Sequence, residues 1–96
     1  MSLHAQTLVV AKDPSRLGEL VAAALSAPDG WRAEATSIPF DPGTCDLHAW
    51  PDGLRIDAFA HDQEHLERIE RAINAALVAA AAPETLTIEW YQRRSD

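Results

Sequence analysis

The sequence predicts an α+β fold with element order β-α-β-β-β-α-β: a mostly antiparallel five-stranded sheet with two helices packed on one face. Three observations predict it. Several short segments alternate apolar and polar residues, the period of a strand with one buried face. Two longer segments repeat apolar residues at helical spacing instead. Clusters of Pro, Asp and Gly separate the segments. The 96 residues suit one α+β domain, 1–96, whose core is modest because much of the apolar content is alanine.

"AQTLVVA", Ala5 to Ala11, is apolar and rich in strand formers, and reads as strand one. Asp13 then suits a helix N-cap and Pro14 the first helical position. Leu17, Leu20, Val21, Ala24 and Leu25 follow at helical spacing, and Pro28-Asp29-Gly30 ends that helix. "WRAEATSI", Trp31 to Ile38, reads as strand two, with Trp31, Ala33 and Ala35 inward and Arg32, Glu34 and Thr36 outward. Pro39 and Asp41-Pro42-Gly43 turn the chain. In strand three, "TCDLHAW", Cys45, Leu47 and Ala49 face in while Thr44, Asp46, His48 and Trp50 face out. Pro51-Asp52-Gly53 is a hairpin turn into "LRIDAFA", with Leu54, Ile56 and Ala58 inward and Arg55, Asp57 and Phe59 outward.

Asp62 caps the second helix, whose buried stripe is Leu66, Ile69, Ile73, Ala76 and Leu77. Glu64–Arg68 and Glu67–Arg71 are four apart, in the orientation that supports an exposed helix face. Pro83 stops it. "TLTIEWY" is the last strand, with Leu86, Ile88 and Trp90 alternating against Thr87, Glu89 and Tyr91. Both helices then cover the same apolar sheet face. The other face is left polar, with scattered aromatic residues.

Charge narrows the partners. A net charge of −7 disfavours nucleic acid, which needs a basic footprint, and an anionic membrane surface. One cysteine forms no internal disulfide. "MSLHAQTLVV" lacks the basic start and long apolar run of a secretory signal, and "INAALVAAAAP" is too short and alanine-rich to span a bilayer. A cytoplasmic location is the expectation.

Four groups of residues are weighed for chemistry. Cys45 shares the inward face with Leu47, away from His48, so it reads as a structural thiol, and Gly43 as a turn glycine. His61 and His65 are four apart, a spacing that can hold a metal, but the Asp62 cap places His61 outside the helix. Asp46, His48, Arg55 and Asp57 project from neighbouring strands on the outer face. There they can bind a ligand, or form cross-strand ion pairs on a wet sheet. Trp50, Phe59 and Tyr91 fall on the same face and suit an interface. No catalytic set and no cofactor-binding motif is evident.

The ordered set Pro39-Phe40, Gly43-Thr44-Cys45, Leu66 to Glu70 and Leu86 to Trp90, after the opening "AQTLVVAKDPSRLGELV", resembles the bacterial domain of unknown function 2218 family. The resemblance implies no activity. It implies an accessory role beside siderophore-interacting flavin reductases, hence iron handling. The chain departs from the family pattern in having no histidine in "LVAAALSAPDGW" and in the inserted Asp41-Pro42. Two functional readings follow. One is a non-catalytic interaction module that forms a homodimer or docks such a reductase. The other is a small-ligand or metal-binding protein using Asp46, His48 and Asp57, with His61 or His65 contributing.

Overall fold

A computed structural model describes residues 2–40 and 43–95. The elements are β1 (Ser2–Val10), α1 (Pro14–Ala24), β2 (Thr36–Phe40), β3 (Gly43–Ala49), β4 (Gly53–Ala60), α2 (Gln63–Ala81) and β5 (Tyr91–Ser95). The sheet order is β2-β3-β4-β1-β5, and every neighbouring pair is antiparallel. Both helices pack on one sheet face, so the predicted architecture and element order hold. No helix among the described residues is long and apolar enough to cross a membrane.

Local chemistry sets the helix starts. Asp13 accepts from the Arg16 amide at 3.1 Å, and Pro14 opens α1. Asp62 accepts from the His65 amide at 2.9 Å and opens α2. Such caps satisfy donors that the first helical turn leaves free. The predicted α2 stripe, Leu66, Ile69, Ile73, Ala76 and Leu77, is buried. It meets Ile38, Cys45, Leu47, Leu54 and Ile56 from the sheet, and Val21 from α1. Burying each large aliphatic side chain contributes about 1.5–3 kcal/mol. The hairpin from β3 to β4 closes through Trp50 and Gly53, whose amides each donate to the other's carbonyl, at 2.8 and 3.3 Å.

Three local expectations are corrected. Strand one starts earlier than Ala5, at Ser2, which brings His4 into the sheet. Strand two is Thr36–Phe40, and its phase is the reverse of the predicted one: Thr36 and Ile38 face inward. The cause is the Thr36 hydroxyl. It accepts from the Arg32 amide at 2.7 Å and donates to the Arg32 carbonyl at 2.8 Å, so a polar side chain is satisfied inside. Residues 31–35 fold back as a loop, and Arg32 and Glu34 are not part of the outer sheet face. Trp31 lies over Gly18 of α1, with Nε1 donating to Ser15 Oγ at 3.3 Å. The last strand is the third correction. Its ladder begins at Tyr91, while 85–90 run beside the core outside any strand. The predicted turn residues Asp41 and Pro42 lie outside the described residues.

Two substitutions test this packing. A Cβ at Gly18 would lie 2.7 Å from Trp31 Cζ2 and Cζ3. Helix propensity alone favours Ala over Gly by about 1 kcal/mol. Gly18→Ala is nevertheless expected to lower the unfolding midpoint in urea, and to raise it in a Trp31→Leu background. The same sign in both backgrounds would remove the indole as the cause. Thr7 is buried, and its Oγ1 has no partner among the described residues. Thr7→Val is expected to stabilise by about 1 kcal/mol, because an unpaired hydroxyl leaves the core. A lowered thermal midpoint would show that this hydroxyl is bonded in solution.

Candidate functional site

The outer face of the sheet is built by register. Asp46 lies opposite Asp57, His48 opposite Arg55 and Thr44 opposite Phe59 across β3 and β4. On the other side of β4, His4 lies opposite Phe59 and Gln6 opposite Asp57. Gln6 is in turn opposite Tyr91 of β5. Paired residues share a face, so Asp46, His48, Arg55, Asp57, Phe59 and Tyr91 all project from the side that the helices leave open. Trp50 joins them from the hairpin.

Asp57 is the hub. Its Oδ1 meets His4 Nε2 at 2.7 Å, and its Oδ2 accepts from Arg55 Nε at 3.1 Å. With its amide oxygen turned toward Arg55, Gln6 accepts from Nε at 2.6 Å and from Nη2 at 2.8 Å. The His4 ring stacks on Phe59 with centroids 4.5 Å apart and planes at 9°. At the other end, the Arg55 guanidinium carbon lies 6.0 Å from the Trp50 ring centroid. His48 meets the same indole edge-on at 5.6 Å. Offset stacking and a cation over an indole are both attractive. A continuous row of contacts therefore runs Trp50–Arg55–Asp57–His4–Phe59. Asp46 stands beside it and accepts from Ser37 Oγ at 2.8 Å. Like charges directly across strands repel. The Asp46–Asp57 pair is tolerated because Asp57 already holds Arg55 and His4.

Asp46, His48, Arg55 and Asp57 also line an open depression of about 510 Å³, with Ser37 and Ala35 at its border. The depression has the volume of a ligand site but lies on an open face. Tyr91 sits apart from this cluster, on the far side of β1, and its hydroxyl donates to Glu89 Oε2 at 3.2 Å.

The remaining candidates lie elsewhere. His61 is exposed and precedes α2. His65 Nδ1 is held by both Asp62 oxygens, at 2.7 and 2.8 Å. The His65 amide bond first, then this side-chain contact, hold the Asp62 carboxyl below its ordinary range. Among the described residues, no three His, Cys, Asp or Glu side chains are grouped to hold a metal. Cys45 is fully buried on the inner face. Burial first, then the Asp46 and Asp57 charges, push its thiol from 9.0 up to about 12. Gly43 has φ +117°, and a Cβ there would meet the Phe59 carbonyl oxygen and Ile69 Cδ1. This close approach of β3 to β4 and α2 admits only glycine.

The family described as "Uncharacterized protein conserved in bacteria (DUF2218)" matches residues 6–91. The chain belongs to the DUF2218 family. A solved structure, the NMR structure of PA4090 from Pseudomonas aeruginosa, is similar with a TM-score of 0.67 and 19% identity. The match covers 95% of this chain and 96% of that one, and it supports the fold. No curated protein matches the chain. The DUF2218 match begins at Gln6, so His4, the residue that completes the hub, lies just before it. Sequence reading had passed over His4. Its signal was the alternation Leu3, Ala5, Thr7 against His4 and Gln6, visible once strand one is started at Ser2.

Two measurements check this geometry. Asp57→Ala is expected to destabilise by about 2 kcal/mol, since Arg55 and His4 both lose their acceptor. Asp46→Ala should change stability by less than about 0.5 kcal/mol. Equal losses would contradict the hub. For Cys45, the unfolded thiol ionises near its ordinary 9.0 while the folded one holds its proton to about 12. The unfolded state then binds fewer protons, so stability falls as pH rises through this window, by up to ~1.4 kcal/mol per pH unit. Cys45→Ala should show a shallower fall over the same window. Parallel curves for the two proteins would contradict the burial of the thiol.

Proposed function

We propose that this DUF2218 domain is a non-catalytic interaction module that docks through its outer sheet face. One observation carries the reading: the face is uncovered by the helices, and the carboxylate at its centre, Asp57, is already held by Arg55 and His4. A carboxylate held by His4 and Arg55 loses less on desolvation than a bare one. The same face exposes Leu8 (50%), Trp50 (44%) and Tyr91 (63%), aromatic and aliphatic groups of the kind that anchor interfaces. It also carries both charge signs, Arg55 beside Asp46. A second copy, turned about a two-fold axis, offers Asp46 to Arg55 and Arg55 to Asp46. The family resemblance adds a second partner, a siderophore-interacting reductase, and with it an accessory role in iron handling.

A second reading is supported by the depression bounded by Asp46, His48, Arg55 and Asp57. Its polar lining suits a small polar ligand or a metal-bearing one.

Native mass spectrometry of the untagged protein, purified without chelator, separates these readings. The expected result is a bare dimer that Trp50→Ala converts to a monomer with an unchanged far-UV circular dichroism spectrum. A stoichiometric extra mass that His48→Ala abolishes would replace the interaction reading with the ligand-binding one. A bare monomer at every concentration would exclude the second copy as partner.

A further inference from the structure

The ladder between β1 and β5 stops halfway along β1. It pairs Ser2 with Ser95 through to Gln6 with Tyr91. Beyond Gln6, that edge of β1 has no ladder partner among the described residues, and Leu8 and Val10 are 50% and 75% exposed. Residues 85–90 run alongside but apart. Leu8 and Val10 on one side and Thr85, Leu86, Thr87 and Glu89 on the other enclose an open groove of about 570 Å³.

We propose that residues 85–90 are a strap that closes onto β1, extending β5 in its existing register. Stepping that register onward places Trp90 opposite Thr7, Glu89 opposite Leu8, Ile88 opposite Val9, Thr87 opposite Val10 and Leu86 opposite Ala11. Each of these pairs matches in face. Thr7 and Val9 are buried, and Leu86, Ile88 and Trp90 are already half-buried against the core. Leu8 and Val10 are exposed, as are Thr87 and Glu89. A one-residue slip would reverse every one of these faces. Closure therefore needs a sideways approach of the strap and no rotation about its axis. Thr85, Thr87, Ile88, Trp90 and Tyr91 are also strand-forming types. In the open arrangement, this end of the chain is tied to α2: Trp90 Nε1 donates to Asn74 Oδ1 at 2.9 Å, and the Gln92 and Gln63 amides donate to each other at 2.6 and 3.0 Å. Closing removes the exposed edge of β1 and fills the groove with Thr87 and Glu89.

Disulfide trapping tests it. Leu8→Cys with Glu89→Cys is the in-register pair; Leu8→Cys with Thr87→Cys shares the face but is shifted by two residues. Both are exposed to oxidised glutathione, which takes up the two electrons and two protons as each disulfide forms. Buried Cys45 takes no part. The expected result is loss of both engineered thiols in the first variant and their retention in the second. Retention in both, or equal loss in both, overturns the proposal. Wild-type NMR provides a measurement free of substitutions: cross-strand contacts between the backbones of Leu8 and Glu89 and of Val10 and Thr87 are expected. Their absence, with fast amide exchange along the whole of 85–90, overturns it as well.

Discussion

The pairing of β1 with β4 is the constraint on which the rest of the structure depends. It joins Leu3–Val10 to Ala60–Gly53 in one unbroken register, across about half the chain. Ala5, Thr7 and Val9 thereby meet Ala58, Ile56 and Leu54 on the inner face, where α1 and α2 lie over them. The same register delivers His4 and Gln6 to Asp57 and Phe59 on the outer face. Core and candidate site are two sides of one ladder. A slip of one residue would turn both inside out together. This ladder also joins distant parts of the chain, so its closure entropy must be overcome before either face forms.

How much of this was legible in the sequence follows from which signals are local. The α2 stripe from Leu66 to Leu77, the caps at Asp13 and Asp62 and the phases of β3 and β4 were all readable, because spacing and turn chemistry settle them within a few residues. Strand two misled because its inward residue is Thr36. Its hydroxyl is satisfied only by the folded-back backbone of Arg32, four residues away. Alternation treats threonine as polar and cannot see a private partner. The site was half-readable. Asp46, His48, Arg55 and Asp57 follow from hairpin parity, whereas His4 comes from the far end of the chain and meets Asp57 only through β1–β4 pairing.

The outer face also shows why a histidine between carboxylates is weak evidence of chemistry. Asp57 has both oxygens occupied, by His4 and Arg55, and Arg55 is shared further with Gln6 and Trp50. A group saturated by its neighbours has little left to offer a substrate, but it makes the surface easier to dry. Docking and catalysis ask opposite things of polar residues: the first wants them mutually satisfied, the second wants one left poised. Asp46 and His48, at the edge of the row, are less engaged. That is where a ligand reading gains its footing.

The two margins of the sheet are treated differently, and this asymmetry bears on how the domain avoids unwanted pairing. On one side, β2 is short and carries Pro39, which has no amide hydrogen to donate to an added strand. On the other side β5 covers β1 only as far as Gln6, and the exposed remainder is apolar at Leu8 and Val10. An unguarded apolar edge invites another strand. Residues 85–90 are the part of the chain placed to guard it, with their inward side chains already seated and Thr87 and Glu89 turned to solvent. A charged, hydroxyl-bearing strap over that edge would give the second margin the protection that proline gives the first.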